Sequence, residues 1–321
     1  MKKYLKLFTD TGKQWLKNQP FQQSAVITYY TLFSLPSLLV IVITVAGYFF
    51  GQSDVQNQLT AQISDFFGES TANSIENIIA NVDIQDGSTL AIVISMGIIV
   101  FGATGAFYQL KLAMNKIWSV REKKSNMIMM LLNRAISLGM ILVIGFMLIV
   151  SLVVTTLVTS LGQYISEYAP NLTSTVLNIF NFLFSYLFIG ALFAAIFKLL
   201  PDINIRWRVT FVGASITTIL FLVAEYGLSF YFGQSDPTSV YGGASSVVLI
   251  MLWIYYSCLI LFFGAEFTVQ YAIFKHEKIT SNRFSEPAII QELAELKEKR
   301  IHLKERKKLI RELAEEEDTE D

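Results

Sequence analysis

Residues 176–208 read VLNIFNFLFSYLFIGALFAAIFKLLPDINIRWR. No charged side chain occurs from Val176 to Phe197; then Lys198, Asp202, Arg206 and Arg208 gather around Pro201. A helix needs about 20 consecutive apolar residues to cross the hydrocarbon of a bilayer. The stretch is therefore predicted to be a membrane span that ends at Pro201 and emerges into a short basic turn. Working outward, the connections on either side, 161–175 and 233–243, contain no Lys or Arg, and neither does 51–88. Residues 1–23 hold five basic residues, 109–134 six, 198–208 three and the tail from Lys275 eleven, which is every one of the chain's 25. Asp54, Asp65, Glu69, Glu76, Asp83, Asp86, Glu167 and Asp236 fill the base-free connections. Strict alternation of basic and base-free connections is the positive-inside pattern. It predicts six spans, about 25–50, 89–108, 131–160, 176–199, 209–232 and 245–273, with both termini in the cytoplasm.

The expected fold class is all-α, a polytopic membrane helix bundle. An N-terminal interfacial helix and a C-terminal charged cytoplasmic helix complete it. Residues 1–23 form the cytoplasmic interfacial part, 24–275 the six-span domain with an external helical connection at 51–88, and 276–321 the charged tail. Only 16% of the 321 residues are charged, against about 25% in a soluble domain. A nucleic-acid binder needs a dedicated basic face. Here the bases lie where anionic lipids of the cytoplasmic leaflet attract them, so membrane lipids are the expected partners and nucleic acid is not. Cys258 is the one cysteine, within the last apolar run, which leaves no intrachain disulfide. The first apolar run, Ala25–Phe50, is too long for the core of a cleavable signal.

Finer features follow the periodicity. Leu5, Phe8, Trp15 and Leu16 lie among lysines at largely helical spacing, the pattern of an amphipathic helix lying on the membrane surface or of a solvated helix that starts the first span. Pro36 sits inside the first span. Proline removes a backbone donor and frees a carbonyl, so a kink is expected near Leu32–Ser34, with a hydroxyl such as that of Ser34 covering the carbonyl. Two short amphipathic helices are predicted in 51–88, around Val55–Phe67 and Ile75–Val82. Gly97, Gly102 and Gly105 would let the second span approach a neighbour closely. That helix is expected to run on to Trp118.

The residues that could carry chemistry are polar groups in apolar runs. Glu225 lies 17 residues after Arg208, in the outer half of the hydrocarbon at about 1.5 Å per residue. A charge there costs about 2.5–3.5 kcal/mol on insertion scales. It is either a substrate or proton site inside the bundle or a neutral acid hydrogen-bonded to a neighbouring helix. Glu266 lies nearer the cytoplasmic interface, at the depth of Arg134 and Arg208, where an ion pair and a structural role are expected. Asn178 and Asn181 share a face of the fourth span. With Ser34, Pro36 and Tyr241, the last in the external turn Ser235–Gly243, these are the candidates for a substrate path. Both histidines, His276 and His302, fall in the tail. No His-Cys-carboxylate cluster has metal-ligand spacing and no glycine-rich loop resembles a phosphate cradle. No catalytic residue, metal or cofactor is expected, and the chain is not expected to be an enzyme.

Several blocks, taken in order, carry a resemblance. They are Ala25-Val26-Ile27-Thr28-Tyr29-Tyr30 with Ser34 and Pro36; Asn115-Lys116-Ile117-Trp118; Leu200-Pro201 with Trp207-Arg208 and Gly213-Ala214; and Tyr241-Gly242, Trp253-Ile254-Tyr255-Tyr256 and Gly264-Ala265-Glu266. Together they resemble the YihY/BrkB family of bacterial membrane proteins over nearly all of residues 20–275. Glu225 matches none of the blocks. The resemblance implies six spans and a plasma-membrane location. Family members have carried a tRNA-ribonuclease label, against which the missing histidine and metal machinery argues. Two functions then compete. One is a transporter or lipid-handling protein with a lipid or small-molecule substrate; the other is a non-transporting scaffold that uses the helical tail. A membrane-bound enzyme ranks last. Oligomeric state is not legible.

Overall fold

The computed structural model describes residues 2–67, 76, 89–123, 131, 134–143, 145–147, 150, 154, 170–234, 245–282, 285–293, 296, 299–300 and 306. Among these, seven helices are defined: α1 (Lys2–Lys17), α2 (Pro20–Phe50), α3 (Gln52–Phe67), α4 (Thr89–Ile117), α5 (Pro170–Leu199), α6 (Trp207–Gln234) and α7 (Ser245–Phe274). Residues 134–143 are helical as well. The chain is mostly helical, as the apolar runs require. The expected second amphipathic helix near Ile75–Val82, the turn holding Tyr241 and the acidic end Glu315–Asp321 lie outside the described residues, apart from Glu76.

Among the described residues, three helical stretches are long and apolar enough to cross a membrane: Phe182–Leu199, Trp207–Leu228 and Val247–Phe274. The 31 residues of α2 and 29 of α4 give lengths of about 46 and 44 Å. α2 begins with Pro20 in its first turn, where a missing N–H is harmless, and Gln19 at φ 57 turns the chain sharply out of α1. It remains helical through Pro36. The Ser34 hydroxyl donates to the Thr31 carbonyl at 3.1 Å, not to the Leu32 carbonyl that Pro36 leaves free. A helical serine reaches the carbonyls three and four residues back, and Leu32 lies only two back. α2 ends at Gly51, whose φ of 90 suits glycine, and whose N–H donates to the Gly47 carbonyl. The chain then folds back as α3, where Val55 packs against Ile43.

Small residues set one of the helix contacts, while of the glycines expected to do so in α4, Gly97 faces no described atom within 4 Å of a Cβ position and Gly105 only the Tyr30 ring at 3.5 Å. α2 packs on α4, α5 on α6, and α6 and α2 on α7. At the α6–α7 crossing two glycine–threonine pairs interlock. A Cβ on Gly213 would lie 1.8 Å from Oγ1 and 2.8 Å from Cβ of Thr268, and one on Gly264 the same distances from those atoms of Thr217. Each threonine hydroxyl is internally satisfied, Thr217 donating to the Gly213 carbonyl and Thr268 to the Gly264 carbonyl. With little hydrophobic drive between helices in lipid, such close van der Waals contact holds them together. The main buried cluster gathers Met114 of α4, Phe197 of α5, Leu200 of the next connection, and Phe262 and Ala265 of α7. It therefore sits at the ends of the helices that the sequence places toward the cytoplasm.

Among the described residues, four strands of two or three residues accompany the helices: β1 (Val120–Glu122), β2 (Ile203–Asn204), β3 (Thr280–Ser281) and β4 (Ser285–Pro287). β1 pairs antiparallel with β4, Val120 opposite Pro287, and β2 with β3, Ile203 opposite Ser281. Strands this short leave no periodic signal in sequence. Through them the segment after α7 crosses the end of α4 and the α5–α6 turn before helical structure resumes at 288–293.

Candidate functional site

At this same end of the bundle, buried polar groups form two adjoining clusters. The first centres on Asp202, the one acid of the α5–α6 connection. Its carboxylate lies 2.8 Å from the ammonium of Lys111, which is 1% exposed and also lies 3.5 Å from Glu122. The Asn115 side-chain amide donates to Asp202 Oδ2 at 2.9 Å, and the Asp202 backbone N–H donates back to Asn115 Oδ1 at 2.8 Å. Asn282 Nδ2 donates to Asp202 Oδ1 at 3.1 Å, and the Ser285 hydroxyl donates to the Asp202 carbonyl at 2.5 Å. A buried charge persists when it is paired and hydrogen-bonded, and this one ties α4, the α5–α6 turn and the segment after α7 into one unit.

The second cluster centres on Glu266 of α7, which is 2% exposed. Gln270, one turn on, donates its amide to Glu266 Oε1 at 3.0 Å. Asn18, in the α1–α2 turn, donates to Oε2 at 2.9 Å. α1 reaches this position because Leu7 and Thr11 are buried and because its rings run along α7, with Tyr4 against Phe274, Phe8 against Phe267 and Trp15 against Phe263. No cation among the described residues lies within 4 Å of the carboxylate. The expected ion pair is thus corrected. Arg134 donates to Thr104 Oγ1 at 2.9 Å and stacks 4.1 Å from the Phe101 ring, and Arg208 is exposed. Equal depth in the membrane does not say on which side of a bundle two residues stand.

Glu266 lines a groove of about 730 Å³ together with Lys17, Asn18, Asn115, Lys116 and Gln270. A small adjoining void shares Asn18, Ile117 and Glu266, and Trp15 forms part of its wall. The buried indole N–H of Trp15 has no acceptor among the described residues. Asn115 and Glu122, both tied into the Asp202 cluster, also line the groove. The arrangement offers a buried acceptor at the wall and lysines near the mouth, which is chemistry for binding and orienting a polar ligand.

Of the other expected path residues, those among the described residues lie away from this groove. Glu225 is half-buried on α6 and has no hydrogen-bond or ion-pair partner among the described residues. The interlocked pairs set the level of Glu266 opposite about residue 215 of α6. Glu225 lies ten residues farther on, about 15 Å along the axis. Asn178 and Asn181 fall on the half of α5 nearer Pro170, Ser34 and Pro36 lie in α2, and Tyr241 lies outside the described residues. Asn18, Gln270, Lys111 and Asp202 were not singled out from the sequence. The signals present were a lysine inside an apolar helix and a lone acid after Pro201.

The order of sequence features around this groove matches one known family. The profile described as "Virulence factor BrkB" matches residues 11–287. The chain belongs to this family. Among similar proteins, a UPF0761 membrane protein of Saccharophagus degradans is 24% identical over 294 residues, 92% of this chain and 66% of that protein. One of Xanthomonas campestris pv. campestris strain B100 is 22% identical over 266 residues, 83% of this chain and 60% of that protein. One of Tolumonas auensis is 35% identical over 74 residues, 23% of this chain and 24% of that protein. The chain thus spans between a quarter and two thirds of the length of these relatives. No solved structure matches. Of the blocks that carry the BrkB resemblance, Asn115–Trp118 leads into the Asp202 unit, and Gly213-Ala214 and Gly264-Ala265-Glu266 form the α6–α7 crossing and the wall of the groove.

Proposed function

We propose that this membrane protein of the BrkB family crosses the plasma membrane six times, with both termini in the cytoplasm. In this reading it handles a lipid or small molecule through the groove at the cytoplasmic ends of α1, α4 and α7. The observation that carries the reading is Glu266, a buried carboxylate held by two amides at the wall of a roomy polar groove. Sites for small ligands combine enclosed volume with a few convergent polar groups, and an ionisable residue within a span is a functional candidate by default. The alternation of basic and base-free connections supports the orientation. A second reading, a scaffold acting through its tail, draws support from the exposed Ile289, Ile290 and Leu293 on the helical residues 288–293.

Orientation is open to a direct check. In a Cys258→Ala background, Ser70→Cys should react with a membrane-impermeant maleimide added to intact cells, and Lys278→Cys should react only after the cells are opened. The reverse pattern would invert the topology. Handling is tested by untargeted lipid and metabolite profiling of a strain lacking the gene. A handled compound should change in level and return on complementation, whereas an unchanged profile favours the scaffold.

A further inference from the structure

We propose that the groove holds the headgroup of a primary-amine phospholipid, a phosphoethanolamine headgroup, drawn from the cytoplasmic leaflet. This rests on the groove being the ligand site. The charges at the groove point to such a ligand. Arg121 stands 3.9 Å from Glu292, and Glu122 shares Lys111 with Asp202. Among the described residues the groove's charged groups with no ion pair are the Glu266 carboxylate, held by two amides, and the lysines Lys17 and Lys116. Lys116 rests on the neutral Gln19 side chain at 3.2 Å. An ionised carboxylate offers about four acceptor positions, and two amides use only two. The open positions suit an ammonium with N–H bonds to donate, and the lysines suit one phosphodiester charge. A quaternary ammonium has no such N–H and should be refused.

The rim of the groove favours a lipid over a soluble zwitterion of the same chemistry. Leu112 and Ile273 line the groove and are still 38% and 56% exposed. Beside them α1 leaves Leu5, Phe8 and Leu16 exposed among its lysines. A helix of that kind lies at the boundary of headgroups and acyl chains. The groove therefore opens where a headgroup can enter while its chains stay against apolar side chains. A soluble ligand would make no use of that apolar rim.

The experiment is native mass spectrometry of the full-length protein released from micelles. The micelles contain equal amounts of phosphatidylethanolamine, phosphatidylcholine and phosphatidylglycerol. The wild type should retain phosphatidylethanolamine about tenfold over phosphatidylcholine, roughly the worth of one charge-assisted hydrogen bond. Glu266→Gln should bring the two to parity. Lys116→Glu, a surface change, should weaken retention of phosphatidylethanolamine while keeping its preference over phosphatidylcholine. If Glu266→Gln fails to fold, Lys116→Glu decides alone, and unchanged retention there overturns the proposal. Equal retention of the three lipids by the wild type, or a preference surviving in Glu266→Gln, also overturns it. Displacement of the lipid by millimolar free phosphoethanolamine would assign the site to a soluble ligand and refute the lipid source. Preference for phosphatidylglycerol abolished by Glu266→Gln would refute the amine yet leave the groove as the ligand site. Indifference to Glu266→Gln both here and in cells would end both readings.

Discussion

Asp202→Ala should destabilise the detergent-solubilised protein by about 3–5 kcal/mol, the usual effect of removing one partner from a buried ion pair. The reason is Lys111, 1% exposed and 2.8 Å from the Asp202 carboxylate. With the carboxylate gone, the buried ammonium loses its nearer acid and is left with Glu122 farther off, at 3.5 Å. The side-chain amides of Asn115 and Asn282 each lose an acceptor as well. Lys111→Met should be milder, because the carboxylate left behind still accepts from both amides. The comparison is a chemical denaturation midpoint for the three proteins in one detergent. Asp202→Ala unfolding with the wild type would mean that these groups do not form the unit described.

Gly264→Ala should be the most damaging addition of a single methyl group. The new Cβ would sit 1.8 Å from Oγ1 and 2.8 Å from Cβ of Thr217. Rotating the threonine moves its hydroxyl but leaves its Cβ in place, so the helices must part. Overpacking of a close contact costs about 1–3 kcal/mol, and here it also spreads the helix that carries Glu266. Thr217→Gly removes the opposing Cβ. Added to Gly264→Ala, it should restore part of the lost stability, although glycine within a helix carries its own penalty of about 1 kcal/mol. Gly213→Ala with Thr268→Gly should behave in the same way. Thermal unfolding of the single and double variants distinguishes a steric clash, which the second change relieves, from independent losses, which would add.

The long helices were legible because apolar runs longer than a soluble core needs leave few alternatives. Glu266 stood out for the same reason, an acid within such a run, whereas Gly213 and Gly264 entered only through the blocks that carry the resemblance. What they touch was not legible. Glu266 and Asn18 are 248 residues apart, and Asn115 and Asp202 are 87 apart. Depth along a span is a single coordinate, and it gave Glu266 the wrong neighbour in Arg134. The same coordinate did separate Glu225, in the outer half, from Glu266, nearer the cytoplasmic interface, and about 15 Å of helix lies between their levels. Lys111 entered the sequence reading only as one of the six basic residues of 109–134, yet its side chain is buried against Asp202, which residue counting cannot foresee. The strand pairs escaped because two or three residues hold no period.

The proposed working site is the Glu266 groove and not the Glu225 region. The two are told apart in a strain lacking the gene, complemented with wild type, Glu266→Gln or Glu225→Gln, each present in the membrane at equal level. The readout is the lipid and metabolite profile. Wild type and Glu225→Gln should restore it, and Glu266→Gln should leave it as in the deletion. Full restoration by Glu266→Gln, with failure of Glu225→Gln, would contradict the account.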